Sequence, residues 1–216
     1  SSYYVQSIIT NAGKLGCEAE LMSLPASAKE SDLLSAIATA NTDPAVHGIM
    51  IQKPLPKSFN DTMISQRVDP GKDLDAINPL NLGKIMMESD GFLPCTPAAV
   101  YYTMKYYGID PQGQKLVILG RSNVVGKPLA NMLLWKKMNA TVTVCHSRTR
   151  DLAEICREAD ILISAIGVAN FVTASMVKEN AILLDVGINE VTDATGKVTY
   201  VGDMDYNALY DISLAI

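Results

Sequence analysis

The sequence predicts an α/β fold: two α/β domains, the second a Rossmann-like doubly wound parallel sheet. Three observations carry that reading. Apolar segments of strand length alternate with helical patterns along the whole chain, the succession that builds parallel sheets. A glycine-bounded turn, Gly120–Gly126, lies between a strand pattern and a helical one. A Pro- and Gly-rich stretch then divides the chain near Pro94–Pro97. The expected domains are residues 1–96 and 97–216.

In the first half, Tyr4, Val5, Ile8, Ile9 and Ala12 fall at helical spacing over residues 1–15. A short strand is expected near Glu18–Met22 and a helix from Lys29 to Asn41, ended before Asp43-Pro44. His47–Gln52 reads as a buried strand. Lys53-Pro54-Leu55-Pro56 stops it, because proline cannot continue a ladder. A short helix follows around Asn60–Gln66. Val68–Pro97 reads as a long irregular connection, a kind of segment that commonly carries function. Thr96 as N-cap and Pro97 in the first turn open a helix that ends at Tyr107–Gly108.

The second half predicts strands at Lys115–Leu119, Thr141–Cys145, Ile161–Ala165 and Ala181–Val186. Helices are expected at Lys127–Lys137 and Asp151–Glu158. No internal repeat or low-complexity segment interrupts the pattern.

Composition narrows the function classes. The 216 residues are 48% hydrophobic and 19% charged, a globular balance rather than a disordered one. A formal net charge of −5 argues against a dominant nucleic-acid surface. No apolar run approaches the roughly 18–20 residues needed to span a bilayer, and no signal-peptide pattern is present. A cytoplasmic protein with no membrane partner is the expectation. The chain starts at Ser1 rather than Met, so a preceding segment is expected to lie outside it. Cys17, Cys95, Cys145 and Cys156 show no paired spacing, and His47 and His146 have no clustered partners. Reduced thiols and no metal site follow.

The turn Gly120-Arg121-Ser122-Asn123-Val124-Val125-Gly126 offers free backbone N–H groups at a helix start, which favours a pyrophosphate. The full G-x-G-x-x-G is absent, so a plain strand-to-helix turn is the competing reading. At the end of the second strand an NAD site usually carries an acid that bonds the ribose 2′-hydroxyl. Here the chain reads His146-Ser147-Arg148-Thr149. Arg121 and Arg148 with nearby hydroxyls suit a 2′-phosphate, which favours NADP over NAD. Against this, Arg148 could be an ordinary solvated charge.

Tyr4, Gln52 and Asp73-Leu74-Asp75 are candidates for chemistry, though each has a structural reading as packing, strand cap or turn former. Together they resemble a family. Its substrate-side signatures look like Ser1-x-x-Tyr4-Val5, Gly48-Ile49-Met50-Ile51-Gln52-Lys53-Pro54-Leu55-Pro56 and Lys72-Asp73-Leu74-Asp75. Asn78-Pro79-x-Asn81-x-Gly83 and Pro94-Cys95-Thr96-Pro97 continue them in order. Gly120-Arg121-Ser122-x-Val124-Val125-Gly126-Lys127-Pro128 is similar to its cofactor signature, and Asp185–Asn189 and Val201-Gly202-Asp203 complete the set. The family is methylenetetrahydrofolate dehydrogenase/cyclohydrolase.

The resemblance implies a cleft between the two domains, with folate on the first and NADP on the second. It implies oxidation of 5,10-methylenetetrahydrofolate and then hydrolysis to 10-formyltetrahydrofolate, within one-carbon metabolism and purine biosynthesis. It also implies a homodimer joined through the cofactor domain. Tyr4 matches a folate-contacting tyrosine, Gln52 a glutamine that supports a catalytic lysine, and Asp75 an aspartate that holds the pterin. Pro54 and Leu55 join them as substrate contacts. The implied cofactor contacts are Gly120, Arg121, Ser122, Val125, Gly126, His146, Ser147, Arg148, Gly167, Gly187 and Ile188.

The chain departs from the family pattern at four places. Ile8 stands where a lysine usually lies, one helical turn after Tyr4 and on its face, and isoleucine moves no proton. Lys53 appears beside Gln52, and a relocated ammonium at Lys53 is one expectation. Its alternative is that neighbours along a strand point to opposite faces. Ala76 replaces a usual glycine, which strains the backbone if φ is positive there. A strand before the first helix, and a Pro-Gly-rich loop and closing helix after Ile216, are usual in the family and absent from the sequence. Three alternatives stay open: a dehydrogenase-only member preferring NAD, a non-catalytic folate- or partner-binding homologue, and another two-domain dehydrogenase.

Overall fold

The computed structural model describes residues 2–192 and 196–215, so Ser1 of the first signature lies outside the described residues. Four strands make one parallel sheet in the order β2-β1-β3-β4: β1 (Lys115–Leu119), β2 (Thr141–Cys145), β3 (Ile161–Ser164) and β4 (Ile182–Asp185). Residues of β1 alternate between two cores. Leu116 and Ile118 join one, Val117 and Leu119 the other. This period of two with apolar residues on both faces is what a sheet sandwiched between helices requires.

On the first face pack α4 (Pro79–Met86), α5 (Cys95–Tyr106) and α6 (Gly126–Leu133), through Ile85, Val100, Met104, Leu129, Met132 and Leu133. Trp135 Nε1 donates to Ile85 O at 2.6 Å and locks α4 onto the end of α6. On the second face lie α7 (Leu152–Arg157), a 3-10 turn at Ala174–Met176 and α8 (Tyr206–Leu209). An antiparallel pair, β5 (Asn189–Thr192) and β6 (Val198–Val201), follows β4.

The remaining elements are α1 (Ser2–Lys14), α2 (Glu30–Thr42) and α3 (Asp61–Arg67). Ile37, Ile64, Val68 and Ile77 form a third, smaller core between α2, α3 and the following loop. Asn60 caps α3 by accepting from Met63 N at 3.1 Å, and the Asp32 carboxylate accepts from Lys29 N at the start of α2. Among the described residues, no helix is long and apolar enough to cross a membrane.

Several sequence expectations need correction. Glu18–Met22 forms no strand, and His47–Gln52 keeps one parallel bridge, Ile49 to Asp73. Apolar pattern alone cannot make a strand, because a ladder needs a neighbour, and these two segments do not pair with each other. The stretch from Val68 to Pro97 is not wholly irregular, for it contains α4. Its Asn78-Pro79 is a helix start rather than a break: Asn78 Oδ1 accepts from Leu80 N at 2.8 Å, and Pro79 fills the first turn, where no N–H is needed. Thr96 is not the N-cap of α5. That helix begins at Cys95 after Pro94, and its leading N–H is met by a distant carboxylate, Asp75. The helix expected at Lys127–Lys137 is shorter, ending at Leu133.

The loop carrying Lys72-Asp73-Leu74-Asp75 divides its work. Lys72 Nζ donates to Ala40 O at 2.9 Å and Asp43 O at 2.7 Å, answering carbonyls at the end of α2. Asp73 is buried and accepts from Ile77 N (3.1 Å), Asn78 N (2.8 Å) and Asn81 Nδ2 (2.9 Å). Ala76 has φ +48°, so the left-handed backbone that favours glycine is adopted by an alanine, a strain of about 1 kcal/mol. Asp75, half-buried, is the acid left to the site. Replacing Asp73 with Ala orphans three donors and is expected to lower the unfolding free energy by about 2–4 kcal/mol. Urea denaturation checks it, and a midpoint equal to the parent protein's would contradict this account of the loop.

Candidate functional site

The sheet order puts β1 between β2 and β3, so the chain leaves β1 toward one side and returns on the other. At such a switch point the strand ends open a crevice that takes ligands. Gly120 follows β1 with φ +113°, and a Cβ there would run into Ala165 O, just past β3. A Cβ on Gly126 would meet Gly120 O. Both glycines are therefore required for the turn to close against the sheet. Ser122 Oγ accepts from Val125 N at 3.1 Å and shapes the turn from within. The N–H groups of Arg121, Ser122, Asn123 and Val124 donate to no acceptor among the described residues. Unused amides at the start of α6, in a cradle that side chains would fill, fit a dinucleotide phosphate.

Beside this turn, the segment after β2 folds on itself. His146 N donates to Thr149 Oγ1 at 2.9 Å, and Arg148 N to His146 Nδ1 at 3.2 Å. His146 thus spends a ring nitrogen on its own loop. Arg121, Ser147 and Arg148 are exposed, and neither guanidinium pairs with a carboxylate among the described residues. Two uncommitted cations and a hydroxyl suit a phosphate monoester.

The loops after β3 and β4 complete the edge. Asp203 is wholly buried, and its two oxygens accept from Ser164 Oγ, from the N–H of Ile166, Gly167 and Val168, and from Asn189 Nδ2. Burial alone would raise the Asp203 carboxyl, but the bonds from Asn189, Ile166, Gly167 and Ser164 outweigh it and hold it below the ordinary carboxylate value. Asp185 accepts from Gly187 N (2.9 Å), Asp203 N (3.0 Å) and Met204 N (2.9 Å). Gly167 has φ +69° and Ile188 is 80% exposed, so the loops present backbone and an apolar side chain to the crevice. Asp203 had drawn attention only as part of a signature, and no role was read for it. The signal was an acid among glycines, since a Cβ on Gly187 would strike Asp203 and one on Gly202 would strike Asp185.

On the substrate side the structure brings together Tyr4, Asp75 and Cys95. Cys95 N donates to Asp75 Oδ1 at 2.8 Å, so the carboxylate caps α5 from outside the helix. Burial raises the Tyr4 phenol first, and the negative charges of Asp75 and Cys95 raise it further. Cys95, read from sequence only as a reduced thiol, is pushed up to about 11 by burial and then by the Asp75 carboxylate. Its Sγ lies 3.7 Å from Leu74 O.

Other candidates stand apart. Gln52 is exposed and makes no hydrogen bond within the described residues. Lys53 Nζ pairs with Asp61 at 2.6 Å and approaches Ser65 Oγ at 3.4 Å, both on α3, with no bond to Tyr4, Gln52 or Asp75. Pro54 and Leu55 line an open depression of about 460 Å³ with Lys53, Pro56, Phe59 and Asp61. Ile8 is half-buried on α1.

Sheet order, glycine turn and free amides define a dinucleotide-binding α/β protein. Residues 94–216 match the NAD(P)-binding domain of tetrahydrofolate dehydrogenase/cyclohydrolase, and residues 1–75 match its catalytic domain. The chain belongs to this family. It is 46% identical over 219 residues to the bifunctional protein FolD of Syntrophus aciditrophicus, covering 100% of this chain and 75% of that relative. Against the counterpart from Chlorobium phaeovibrioides the figures are 43% over 222 residues, with the same coverage. Among solved structures, the bifunctional FolD of Campylobacter jejuni superposes with a TM-score of 0.92 at 39% identity, covering 100% of this chain and 74% of that one. The Trypanosoma brucei enzyme, solved with NADP cofactor and an inhibitor, gives 0.92 at 31% identity, again over 100% and 74%.

The thiol environment has a direct readout. With Cys95 at about 11, its thiolate is scarce near neutrality, so its alkylation by iodoacetamide rises about tenfold per pH unit from pH 8 to about 10.5. Peptide mass spectrometry across that range checks it. A rate already flat above pH 9 would contradict the burial and the carboxylate neighbour.

Proposed function

We propose that the protein oxidises 5,10-methylenetetrahydrofolate to 5,10-methenyltetrahydrofolate, with NADP as the hydride acceptor. Residues 1–96 carry the folate in this reading, and residues 97–216 the cofactor. The observation that carries it is Asp75, fastened by Cys95 N beside Tyr4, while Asp75 Oδ2 takes no N–H among the described residues. A carboxylate held this way can accept the paired N–H donors of a pterin edge. Family membership supplies the substrate class.

Arg121, Ser147 and Arg148 hold the 2′-phosphate, and the free amides of residues 121–124 the pyrophosphate. That set, with no acid at the end of β2, supports NADP over NAD. When bound, NADP supplies the nicotinamide that takes the hydride. The chain's own task is placement: Asp75 orients the pterin, Tyr4 packs beside it, and the loops at Gly167 and Ile188 wall the crevice.

Hydrolysis to the formyl product is the weakened half. Ile8 has no proton to give or take, and Lys53 would have to leave Asp61 to replace the usual lysine. The reading extends to a homodimer joined through the cofactor side, and to a cytoplasmic role in one-carbon supply for purine synthesis.

The test follows near-ultraviolet absorbance of the protein with 5,10-methylenetetrahydrofolate and either NADP or NAD, with acid-treated aliquots to separate products. Methenyl product formed with NADP, and accumulating, is expected. Formyl product formed faster than spontaneous hydrolysis would instead establish both activities, and Lys53→Met would then test whether Lys53 carries the hydrolytic step. No turnover with either cofactor would overturn the reading in favour of a binding-only homologue. Arg148→Ala should raise the KM for NADP about 10- to 100-fold while moving that for NAD by less than about twofold, as loss of one charge-assisted contact predicts. Equal shifts for both cofactors would remove the 2′-phosphate assignment.

A further inference from the structure

We infer that Asp203 is the positioning residue of the cofactor edge: one buried carboxylate that fastens the loop after β3 to the loop after β4 and sets both for the nicotinamide half of the cofactor. The inference rests on the reading of residues 97–216 as an NADP site.

The geometry is specific. Oδ2 accepts from Ser164 Oγ at 3.1 Å, Ile166 N at 2.8 Å and Gly167 N at 3.2 Å. Oδ1 accepts from Val168 N at 2.9 Å and Asn189 Nδ2 at 2.9 Å. Ser164 to Val168 belong to the end of β3 and its loop, and Asn189 opens β5, just past the β4 loop. Asp203 has no ion-pair partner among the described residues, although its exposure is 0%. A buried carboxylate without a cation is stable only if its donors are fixed in place, and fixing them fixes the loops. The two loops stand at the carboxyl ends of neighbouring strands, where ligands of such sheets lie.

An amide cannot replace this group. Oδ2 faces three donors and Oδ1 two, so either orientation of an asparagine aims an NH₂ at two or more donors. The loops must then move apart. Asp185 reinforces the arrangement by accepting from Asp203 N and Gly187 N, which ties the backbone carrying the carboxylate to the β4 loop itself.

The test measures the NADP dissociation constant by titration calorimetry, without folate, for the purified parent protein and for Asp203→Asn, Ser164→Ala and Asn189→Ala. Steady-state KM values for NADP and for methylenetetrahydrofolate are taken alongside. Asp203→Asn is expected to weaken NADP about tenfold or more, and each single-donor variant about threefold or more, because each removes one of the hydrogen bonds that hold the loops to the carboxylate. The KM for the folate should shift by less than about twofold, which general loosening of the fold would not spare. A folded Asp203→Asn that binds NADP as the parent does would overturn the inference, as would equal weakening of NADP and folate. If Asp203→Asn does not fold, unchanged NADP binding in both Ser164→Ala and Asn189→Ala overturns it. If the parent itself binds no NADP, the reading of the site falls and the inference with it. Binding by the parent with no change in any variant removes the inference alone.

Discussion

Two carboxylates at the cofactor edge, the buried Asp203 and the exposed Asp185, set the terms for the second half of the molecule. Asp203 gathers N–H groups from the loop after β3, and Asp185 gathers those of residues 187, 203 and 204. Neither could sit where it does unless Gly187 and Gly202 lacked side chains. A parallel sheet by itself leaves the loops at its carboxyl edge free to vary. Here the acids tie them together, so the crevice beside Gly120 and Gly126 has one shape before any ligand arrives. The ionised Asp203 is tolerated in the interior because the donors that neutralise it are also the structure it organises.

The substrate side is built on a different plan. Its chemistry-bearing carboxylate, Asp75, is held at one point by the N-terminus of α5, and a strained Ala76 follows it. Two neighbours, Lys72 and Asp73, are spent on holding the loop to α2 and α4. Such division within one short motif explains how three polar residues in five positions leave a single acid for the site. It also bears on Lys53, whose ammonium is drawn to Asp61 rather than toward Tyr4. The charge lost at Ile8 has therefore no resident replacement within the observed hydrogen bonds, and hydride transfer is the half of the chemistry that depends on it least.

Legibility in the sequence followed the range of the interactions. β1 and β2 were readable to the residue, because β1 is apolar on both faces, β2 alternates threonine with apolar residues, and Gly120 and His146 bound them. The helix at α2 and the turn at Gly120–Gly126 were readable for similar local reasons. His47–Gln52 has the same apolar pattern, yet its pairing depends on a partner far along the chain, and pattern carries no information about that. At α4 the density of Pro and Gly hid a helix whose start Asn78 and Pro79 in fact signal. α5 shows the limit most clearly: its cap comes from Asp75, twenty positions away, so the local Thr96-Pro97 signal pointed two residues too far. The Asp203 hub joins residues 164 to 203, and no local rule connects them.

The claim on which most of this depends is that the cofactor edge is formed before the cofactor binds. Amide hydrogen exchange of Gly167, Val168 and Gly187 in nucleotide-free protein tests it most directly, because the first two N–H groups donate to the buried Asp203 and the third to Asp185. The account predicts slow exchange comparable with the amides of β3, changing little when NADP is added. Exchange at the rate of an open loop before NADP, with protection gained only after it, would show that the ligand builds the edge and would contradict the account.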